Sequence, residues 1–110
     1  MKRLLLTLSL TTPALAESVP GRVSFYVPTG APSACGPTRA PGTQIALSRN
    51  LLRAWGCGAR VRVIYRGRSY VGVAWDAMAA RYVNAADVLI GSRRVALDLG
   101  AGQGRIERLR

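Results

Sequence analysis

Residues 60–76, RVRVIYRGRSYVGVAWD, place apolar side chains at alternate positions on either side of a glycine turn. Successive side chains of a β-strand point to opposite faces, so Val61, Val63 and Tyr65 are expected to share one face of a first strand. Residues 66–68, Arg-Gly-Arg, have the composition of a tight turn. This stretch therefore predicts a β-hairpin.

The returning strand of the hairpin is predicted at residues 70–75. Val71, Val73 and Trp75 would share one face of it. Asp76 follows directly and would point the other way. The hairpin thus ends in an acidic side chain, which is scarce in this chain.

The rest of the chain predicts short elements separated by turns. Apolar or β-branched runs indicate strands, and polar residues before apolar stretches indicate helix starts. A segment rich in Pro, Gly, Ser and Thr at residues 28–41 predicts a long surface loop. Five or six strands and two short helices indicate a small closed barrel, because closure removes exposed strand edges. The further strand-like runs lie at residues 23–27, 44–47, 87–90 and 104–109, and the helices at 50–55, after Ser48, and 93–99, between Ser92 and Gly100.

The amino terminus predicts a signal peptide at residues 1–16. Lys2 and Arg3 precede the apolar run Leu4–Leu10, and small residues at 14 and 16 suit a signal peptidase. A first core helix is the alternative, but Pro13 interrupts it. The run is shorter than the ~20 residues of a bilayer crossing, so no stable membrane insertion is expected after cleavage. We expect a secreted or periplasmic protein with a linker at residues 17–22 and one domain at 23–110.

The charge of the chain is strongly positive and excludes several mechanisms. There are 16 basic residues, 5 acidic residues and no histidine, which gives a net charge of +11. Without histidine, imidazole bases and histidine metal ligands are excluded. Nucleic acid is not the expected partner, because the common polyanions met after export are cell-wall polymers and lipid head groups. A basic, solubilising surface is the alternative explanation.

The two cysteines, Cys35 and Cys57, are expected to form a disulfide. Exported domains of this size commonly need such a cross-link. Closing a loop of 22 positions contributes roughly 3 kcal/mol by restricting the unfolded chain. A metal site would need more ligands than two thiols, and a catalytic thiol would need a base that this chain lacks.

Two groups of short motifs follow one another along the chain. The first comprises ACG at 34–36, IALS at 45–48, GCG at 56–58 and valines at 61 and 63; the second comprises VAWDAM at 73–78, RY at 81–82, ADV at 86–88, GS at 91–92 and glycine at 100. The first group resembles the pattern of expansins, barwin-like proteins and rare lipoprotein A domains. The second is similar to the three-aspartate domain and to membrane-bound lytic transglycosylase A. Both belong to the double-psi β-barrel superfamily of exported cell-wall proteins.

The resemblance implies an all-β fold: a six-stranded double-psi barrel with one or two short helices, one disulfide and an acidic groove. In the transglycosylase pattern the second aspartate of the run is catalytic, and that position is Asp87. Asp76 matches the first, 11 positions earlier. Ser48 stands where the three-aspartate pattern has an early aspartate, and it becomes a candidate substrate contact. No cofactor or metal is implied.

The chemistry implied for Asp87 needs a carboxyl that holds a proton. A lytic transglycosylase uses the sugar's own 6-hydroxyl as nucleophile, so one carboxyl can act first as acid and then as base, whereas hydrolysis uses two carboxyls. Burial and the neighbouring Asp76 would raise the pKa of Asp87. The alternative is that Asp87 accepts backbone N–H bonds in a loop. Asp98 is explained by an ion pair with Arg94, four positions earlier on the predicted helix.

Three further side chains are candidate contacts for a sugar polymer. Tyr82 and Tyr26 offer flat rings for stacking on sugar faces, and Arg81 could bind a carboxylate or neutralise Asp76. Trp55 and Trp75 are better explained by core packing.

The sequence thus predicts an exported domain that engages peptidoglycan or another cell-wall polysaccharide, with transglycosylase-type cleavage as its activity. Two other functions stay open: an expansin-like module that binds without cutting, and a barwin-like or inhibitor-like domain that binds a protein.

Overall fold

A computed structural model describes residues 17–110, and the signal peptide predicted at residues 1–16 lies outside them. Within the described part, six strands close into a barrel and two seven-residue helices lie between them. Neither helix is long enough to cross a membrane. The elements are β1 Ser18–Tyr26, β2 Gln44–Leu47, α1 Arg49–Trp55, β3 Arg60–Tyr65, β4 Arg68–Ala77, β5 Ala85–Leu89, α2 Arg93–Leu99 and β6 Gly102–Arg108.

The strands follow the order β1-β5-β2-β4-β3-β6 around the barrel, and β6 returns to β1. The pairs β1/β5 and β2/β4 are parallel, whereas the other four are antiparallel. A parallel pair needs a crossover connection. The crossover from β2 to β4 contains α1 and β3, and the crossover from β1 to β5 contains the long loop.

The barrel interior holds one continuous apolar core. Alternate residues of the strands point inward, and Leu51 and Trp55 of α1 complete the core at one end. Trp55 therefore has the packing role that the sequence indicated. The buried members of this core are Val19, Val23, Ile45, Leu47, Leu51, Trp55, Val61, Val63, Tyr65, Ala74, Ala86, Val88 and Ile106.

The hairpin predicted from residues 60–76 is confirmed as β3 and β4. Val61, Val63 and Tyr65 are buried, as the alternation requires. Arg66 and Gly67 form the two-residue turn, with φ of 50° and 76°. Two positive φ values in a row are characteristic of the type I′ turn, whose twist matches that of the flanking strands.

The first strand is longer than the sequence indicated. The sequence predicts a linker at residues 17–22, but residues 18–22 lie in β1 and pair with β6 from Ser18↔Glu107 to Arg22↔Gln103. Pro20 and Gly21 weaken the local strand signal, because both disfavour strand interiors. The pairing is antiparallel and comes from the far end of the chain, so no local pattern could reveal it.

The loop between β1 and β2 is held to the barrel by a disulfide and by a side-chain hydrogen bond. The disulfide predicted between Cys35 and Cys57 is present and joins the loop to the turn after α1, with Cα atoms 5.8 Å apart. The indole nitrogen of Trp75 donates to the carbonyl of Pro37 at 2.8 Å. Trp75 is half-buried against the loop outside the barrel, so its expected place in the core is wrong.

The ion pair expected between Arg94 and Asp98 is absent from the salt bridges of residues 17–110. Both side chains are exposed on α2. An exposed pair gains little from Coulomb attraction in water and loses side-chain entropy when it forms, so its absence costs little. Asp98 is a solvated surface charge.

Gly21 should tolerate no larger residue. A Cβ atom at this position would overlap the backbone carbonyl of Asn84, which precedes β5. We expect Gly21→Ala to lower the free energy of unfolding by about 3 kcal/mol, the upper range for overpacking against an unyielding neighbour. Urea unfolding followed by circular dichroism measures this.

The matched control is Gly91→Ala, where the added Cβ would meet Pro41 at an ordinary 3.5 Å. It should change stability by less than about 1 kcal/mol. Equal effects of the two substitutions would contradict the close approach of β1 to Asn84.

Candidate functional site

The two aspartates singled out by the sequence flank the same residue of β2. Ala46 pairs with Asp76 on the parallel strand β4 and with Asp87 on the antiparallel strand β5. Asp87 in turn pairs with Ser24 of β1. A row of four side chains therefore crosses four strands, and the Cα atoms of the aspartates are separated by two strand spacings, about 10 Å.

A β-bulge on β4 brings Asp76 into this row. The register of β2 against β4 runs from Ile45↔Ala74 directly to Ala46↔Asp76, so Trp75 is the extra residue. A bulge redirects the side chains that follow it. Ala74 faces the core, Trp75 faces the loop, and Asp76 lies beside Ala46 on the outer surface.

The row forms part of a groove of about 280 Å³ on the outside of the barrel. Its apolar part is a second small cluster, in which Ala46, Met78 and Ala85 are buried against Tyr26 and Tyr82. The groove thus combines an apolar floor with acidic groups at its side. It is lined by Ser24, Tyr26, Thr29, Ala46, Asp76, Ala77, Met78, Ala79, Tyr82 and Asp87.

Asp87 is the carboxyl whose surroundings favour the protonated form. Burial raises its pKa above the ordinary value of 3.8, and the charge of Asp76 raises it further. Two effects oppose this: the Ser24 hydroxyl donates to Oδ1 at 2.9 Å, and Arg22 attracts the ionised form. Of these four effects on the pKa of Asp87, burial is the largest. The proton is thus held on Asp87 at a higher pH than on a carboxyl in water.

Asp76 has a different environment, although it shares the groove. Its Oδ1 accepts from the backbone N–H groups of Ala34, at 2.8 Å, and Ala77, at 2.9 Å. Acceptance of backbone N–H bonds, the alternative considered for Asp87, therefore describes Asp76. The bond to Ala34 also ties the loop to the groove, next to Cys35.

Tyr26 lines the groove, and its hydroxyl is held by a buried side chain outside the groove. Its oxygen accepts from Nε2 of Gln44 at 2.8 Å. Burial raises the pKa of Tyr26 to about 12, and the charges of Asp76 and Asp87 act in the same direction, against the Gln44 bond. Tyr26 therefore keeps its proton throughout the neutral range.

Tyr82 lines the groove, and Arg81 supports it from outside. The Arg81 guanidinium stacks 4.6 Å from the centre of the Tyr82 ring and donates to its hydroxyl at 3.1 Å. Arg81 itself is exposed and does not line the groove. The stacking fixes the ring and adds positive charge at the rim.

Ser48 is not brought to the groove. It is fully buried at the start of α1, where its hydroxyl donates to Oδ1 of Asn50 and accepts from the backbone N–H of Ala85. Both hydrogen-bonding roles are thus used within the protein, which argues against the substrate contact suggested by the motif. Ser48 joins α1 to the start of β5.

Three residues that contribute to the site were not singled out by the sequence. Ser24 and Arg22 act on the charge of Asp87, and Gln44 orients Tyr26. The signal for Ser24 and Arg22 was their alternation with Val23 on β1, which places both on the outer face. Gln44 is a polar residue at the head of a buried strand, and a buried amide always needs partners.

Two other hollows occur in the described residues, and neither contains a carboxylate. One, of about 320 Å³, lies within the loop between Pro28 and Thr38. The other, of about 310 Å³, lies between β1 and α2. No group of three or more His, Cys, Asp or Glu side chains in residues 17–110 could hold a metal ion.

Comparisons with solved structures identify the architecture. The Streptomyces papain inhibitor superposes with a TM-score of 0.64 at 21% identity, over 91% of this chain and 100% of its own. MltA from E. coli superposes with a TM-score of 0.54 at 16% identity. The fold is a double-psi β-barrel.

The double-psi barrel accounts for 73% of this chain in the comparison with MltA but for only 27% of the MltA chain. This chain therefore spans about a quarter of that protein. No family model matches the sequence, and no curated protein matches it. The similarity establishes the fold expected from the motifs.

The raised pKa of Asp87 should appear in the pH dependence of stability. A carboxyl whose pKa is higher in the folded than in the unfolded state favours folding below its ordinary value, and this contribution is lost as pH rises through the folded pKa. We expect Asp87→Asn to be more stable than the wild type at pH 7. The advantage should shrink as pH falls towards 3.8.

Urea unfolding of both proteins between pH 3 and pH 8 (about five points) measures the difference. A carboxyl-carbon NMR titration of Asp87 should give a midpoint above 3.8. A midpoint at or below that value, together with no stability gain in Asp87→Asn at pH 7, would show that burial does not perturb this group.

Proposed function

We propose that this protein is exported, binds peptidoglycan in the groove and cleaves its glycan strands by the lytic transglycosylase reaction, with Asp87 as acid and base. One observation carries the proposal: Asp87, whose pKa is raised by burial, faces the same groove as Asp76, whose Oδ1 accepts two backbone N–H bonds. Paired carboxyls in unlike environments are the usual arrangement for acid–base chemistry on glycosidic bonds. The disulfide supports export, because such bonds persist in oxidising compartments.

In the first step, protonated Asp87 gives its proton to the glycosidic oxygen between N-acetylmuramic acid and N-acetylglucosamine. The bond from that oxygen to the muramic acid carbon breaks, and its electron pair stays on the departing oxygen. Positive charge develops on the sugar ring, which the carboxylate of Asp76 stabilises across the groove. Burial raises the pKa of Asp87, so the proton is held to a higher pH than on a carboxyl in water.

In the second step, the 6-hydroxyl of the muramic acid attacks the same ring carbon, and its proton goes to the Asp87 carboxylate. The products are a shortened strand and an anhydro sugar, and Asp87 is protonated again. One carboxyl thus serves both steps, with no water consumed. A single proton-holding carboxyl in the groove suits this sequence better than hydrolysis, which uses a second carboxyl as base or nucleophile.

The remaining side chains of the groove suit a sugar polymer that bears negative charge. Tyr82 offers a ring held in place by Arg81, and sugar faces stack on aromatic rings. Arg22 adds positive charge near Asp87, and Arg81 adds positive charge beside Tyr82. Lactyl and peptide carboxylates of peptidoglycan match such cations. A polymer lying across the four strands would meet the row in the order Ser24, Asp87, Ala46, Asp76.

Asp87→Asn should abolish cleavage without abolishing binding, because asparagine keeps the shape and the bond from Ser24 but cannot transfer the proton. Purified sacculi digested with wild type should release anhydro-muropeptides, detected by mass spectrometry, and the variant should release at least 100-fold less. The matched control is Asp98→Asn, which removes the same charge from the exposed face of α2.

Three outcomes separate the possibilities. Cleavage by wild type and Asp98→Asn but not by Asp87→Asn supports the proposal. If wild type and both variants sediment with sacculi but none cleaves them, the protein is a non-catalytic, expansin-like binding module. Equal cleavage by Asp87→Asn would remove Asp87 from the mechanism.

A second candidate function is binding to a protein, and one comparison favours it. The Streptomyces papain inhibitor matches this chain over its whole length, whereas MltA matches only in part. In such a protein the loop at residues 27–43, anchored by the disulfide and Asp76, would supply the contact surface.

If this second function holds, the oxidised protein should slow papain's cleavage of a peptide substrate at micromolar concentration, and Asp87→Asn should inhibit equally well. The expected inhibition does not depend on the groove's acid. Full papain activity at a hundredfold excess of the protein would remove papain as a partner.

A further inference from the structure

The direction of each hydrogen bond around Gln44 is determined by the backbone. Gln44 is 1% exposed, and its amide makes three hydrogen bonds. The backbone N–H of Arg39 can only donate, and it lies 2.9 Å from Oε1. Oε1 is therefore the acceptor, and the NH₂ group of Gln44 must face Ser33, at 2.9 Å, and Tyr26, at 2.8 Å.

The far end of this network agrees with that direction. The Thr38 hydroxyl donates to the carbonyl of Ala31 at 3.0 Å, and a carbonyl can only accept. Its oxygen, 3.1 Å from the Ser33 hydroxyl, is then free to accept from Ser33. Ser33 in turn accepts from Gln44. Every hydrogen bond in the network from the Arg39 N–H to the Ala31 carbonyl thus has a defined donor and acceptor.

This assignment leaves one hydrogen directed elsewhere, that of the Tyr26 hydroxyl. Tyr26 accepts from Gln44 and cannot donate back to it, because an amide NH₂ group is a donor and has no acceptor lone pair. Within residues 17–110 the Tyr26 hydroxyl donates to no protein group, and Tyr26 lines the groove. With its pKa raised to about 12, it keeps this hydrogen at all physiological pH values.

We propose that Tyr26 is a fixed hydrogen-bond donor in the groove, set by Gln44, which recognises an acetamido carbonyl oxygen of the glycan. This inference rests on the proposed function only in taking a glycan as the ligand. A carbonyl oxygen accepts and never donates, so it complements a hydroxyl that can only donate. Sugar hydroxyls adapt to either role and gain less from a donor of fixed direction.

Gln44 acts on the ligand only through Tyr26, so it is a positioning residue. Its side chain lies behind Tyr26, is buried, and does not line the groove. Because the amide is held by a backbone donor, rotating it would leave buried groups unpaired, at a cost that keeps the donor direction unique. The groove therefore distinguishes ligands by the oxygen that they place beside Tyr26.

Two neutral tetrasaccharides, tetra-N-acetylchitotetraose and cellotetraose, test the donor. At carbon 2 of every ring the first carries an acetamido group and the second carries a hydroxyl. Affinities are measured by titration calorimetry in the Asp87→Asn background, so that no sugar is cleaved. We expect tighter binding of the acetylated sugar. Tyr26→Phe should weaken that binding by about five- to tenfold and change cellotetraose binding by less than about twofold.

Tyr70→Phe is the matched control, because it removes a hydroxyl from a half-buried tyrosine outside the groove. In the Asp87→Asn parent protein, Tyr70→Phe should leave the affinity for both sugars unchanged. If Tyr26→Phe keeps the parent's affinity for the acetylated sugar, the proposed donor role is wrong, while the groove function stands. If the parent binds neither sugar, glycan recognition by the groove fails, and this inference fails with it.

Gln44→Glu tests the direction of the bond. It replaces the amide NH₂ by a carboxylate oxygen, which would accept the Tyr26 hydrogen and withdraw it from the groove. We expect the same loss of preference for the acetylated sugar as in Tyr26→Phe, and no further loss when the two changes are combined. Independent, additive losses would contradict action through Tyr26. If Gln44→Glu does not fold, the comparison of Tyr26→Phe with Tyr70→Phe still decides the proposal.

Discussion

The pairing of β2 with two neighbours at once is the constraint on which the groove depends. β2 has four residues, all buried, and it is hydrogen-bonded to β4 on one side and β5 on the other. Ile45 and Leu47 fill the barrel core, which fixes the register of the strand, because a slip by one residue would turn both side chains outward. Ala46 then has one possible position. Its small side chain leaves space above it, and the two aspartates lie on either side of that space.

Most of the fold could be predicted because its strongest signals are local. Alternation in residues 60–65, the turn at Arg66-Gly67 and the boundaries of α2 depend on neighbours in sequence, and all three agree with the structure. The assignments that failed depend on distant partners. Residues 18–22 become a strand only because β6 lies beside them, and the bulge at Trp75 exists only in the register against β2. Neither arrangement leaves a periodic trace in the sequence.

The site could be predicted in part, and for an instructive reason. Motif spacing identified Asp76 and Asp87 as a pair, and closure of the barrel accounts for their meeting. The same reasoning placed Ser48 with them, because the motif aligns its position but says nothing about side-chain direction. Ser48 lies two positions after Ala46, yet the chain turns into α1 there and its hydroxyl faces Ala85. Alternation places Ser24 on the outer face of β1 and polarity distinguishes Gln44, but what these side chains bond depends on distant parts of the chain.

The anchoring of the long loop has a consequence for how this surface could diversify. Three of its attachments lie in a short central segment: Asp76 holds Ala34, the disulfide holds Cys35, and Trp75 holds the carbonyl of Pro37. The outer bend near Gly30 has open space around it. Insertions or exchanges there would reshape the rim while Asp87 and its neighbours kept their positions. A barrel of this design can therefore present different rims around an unchanged groove.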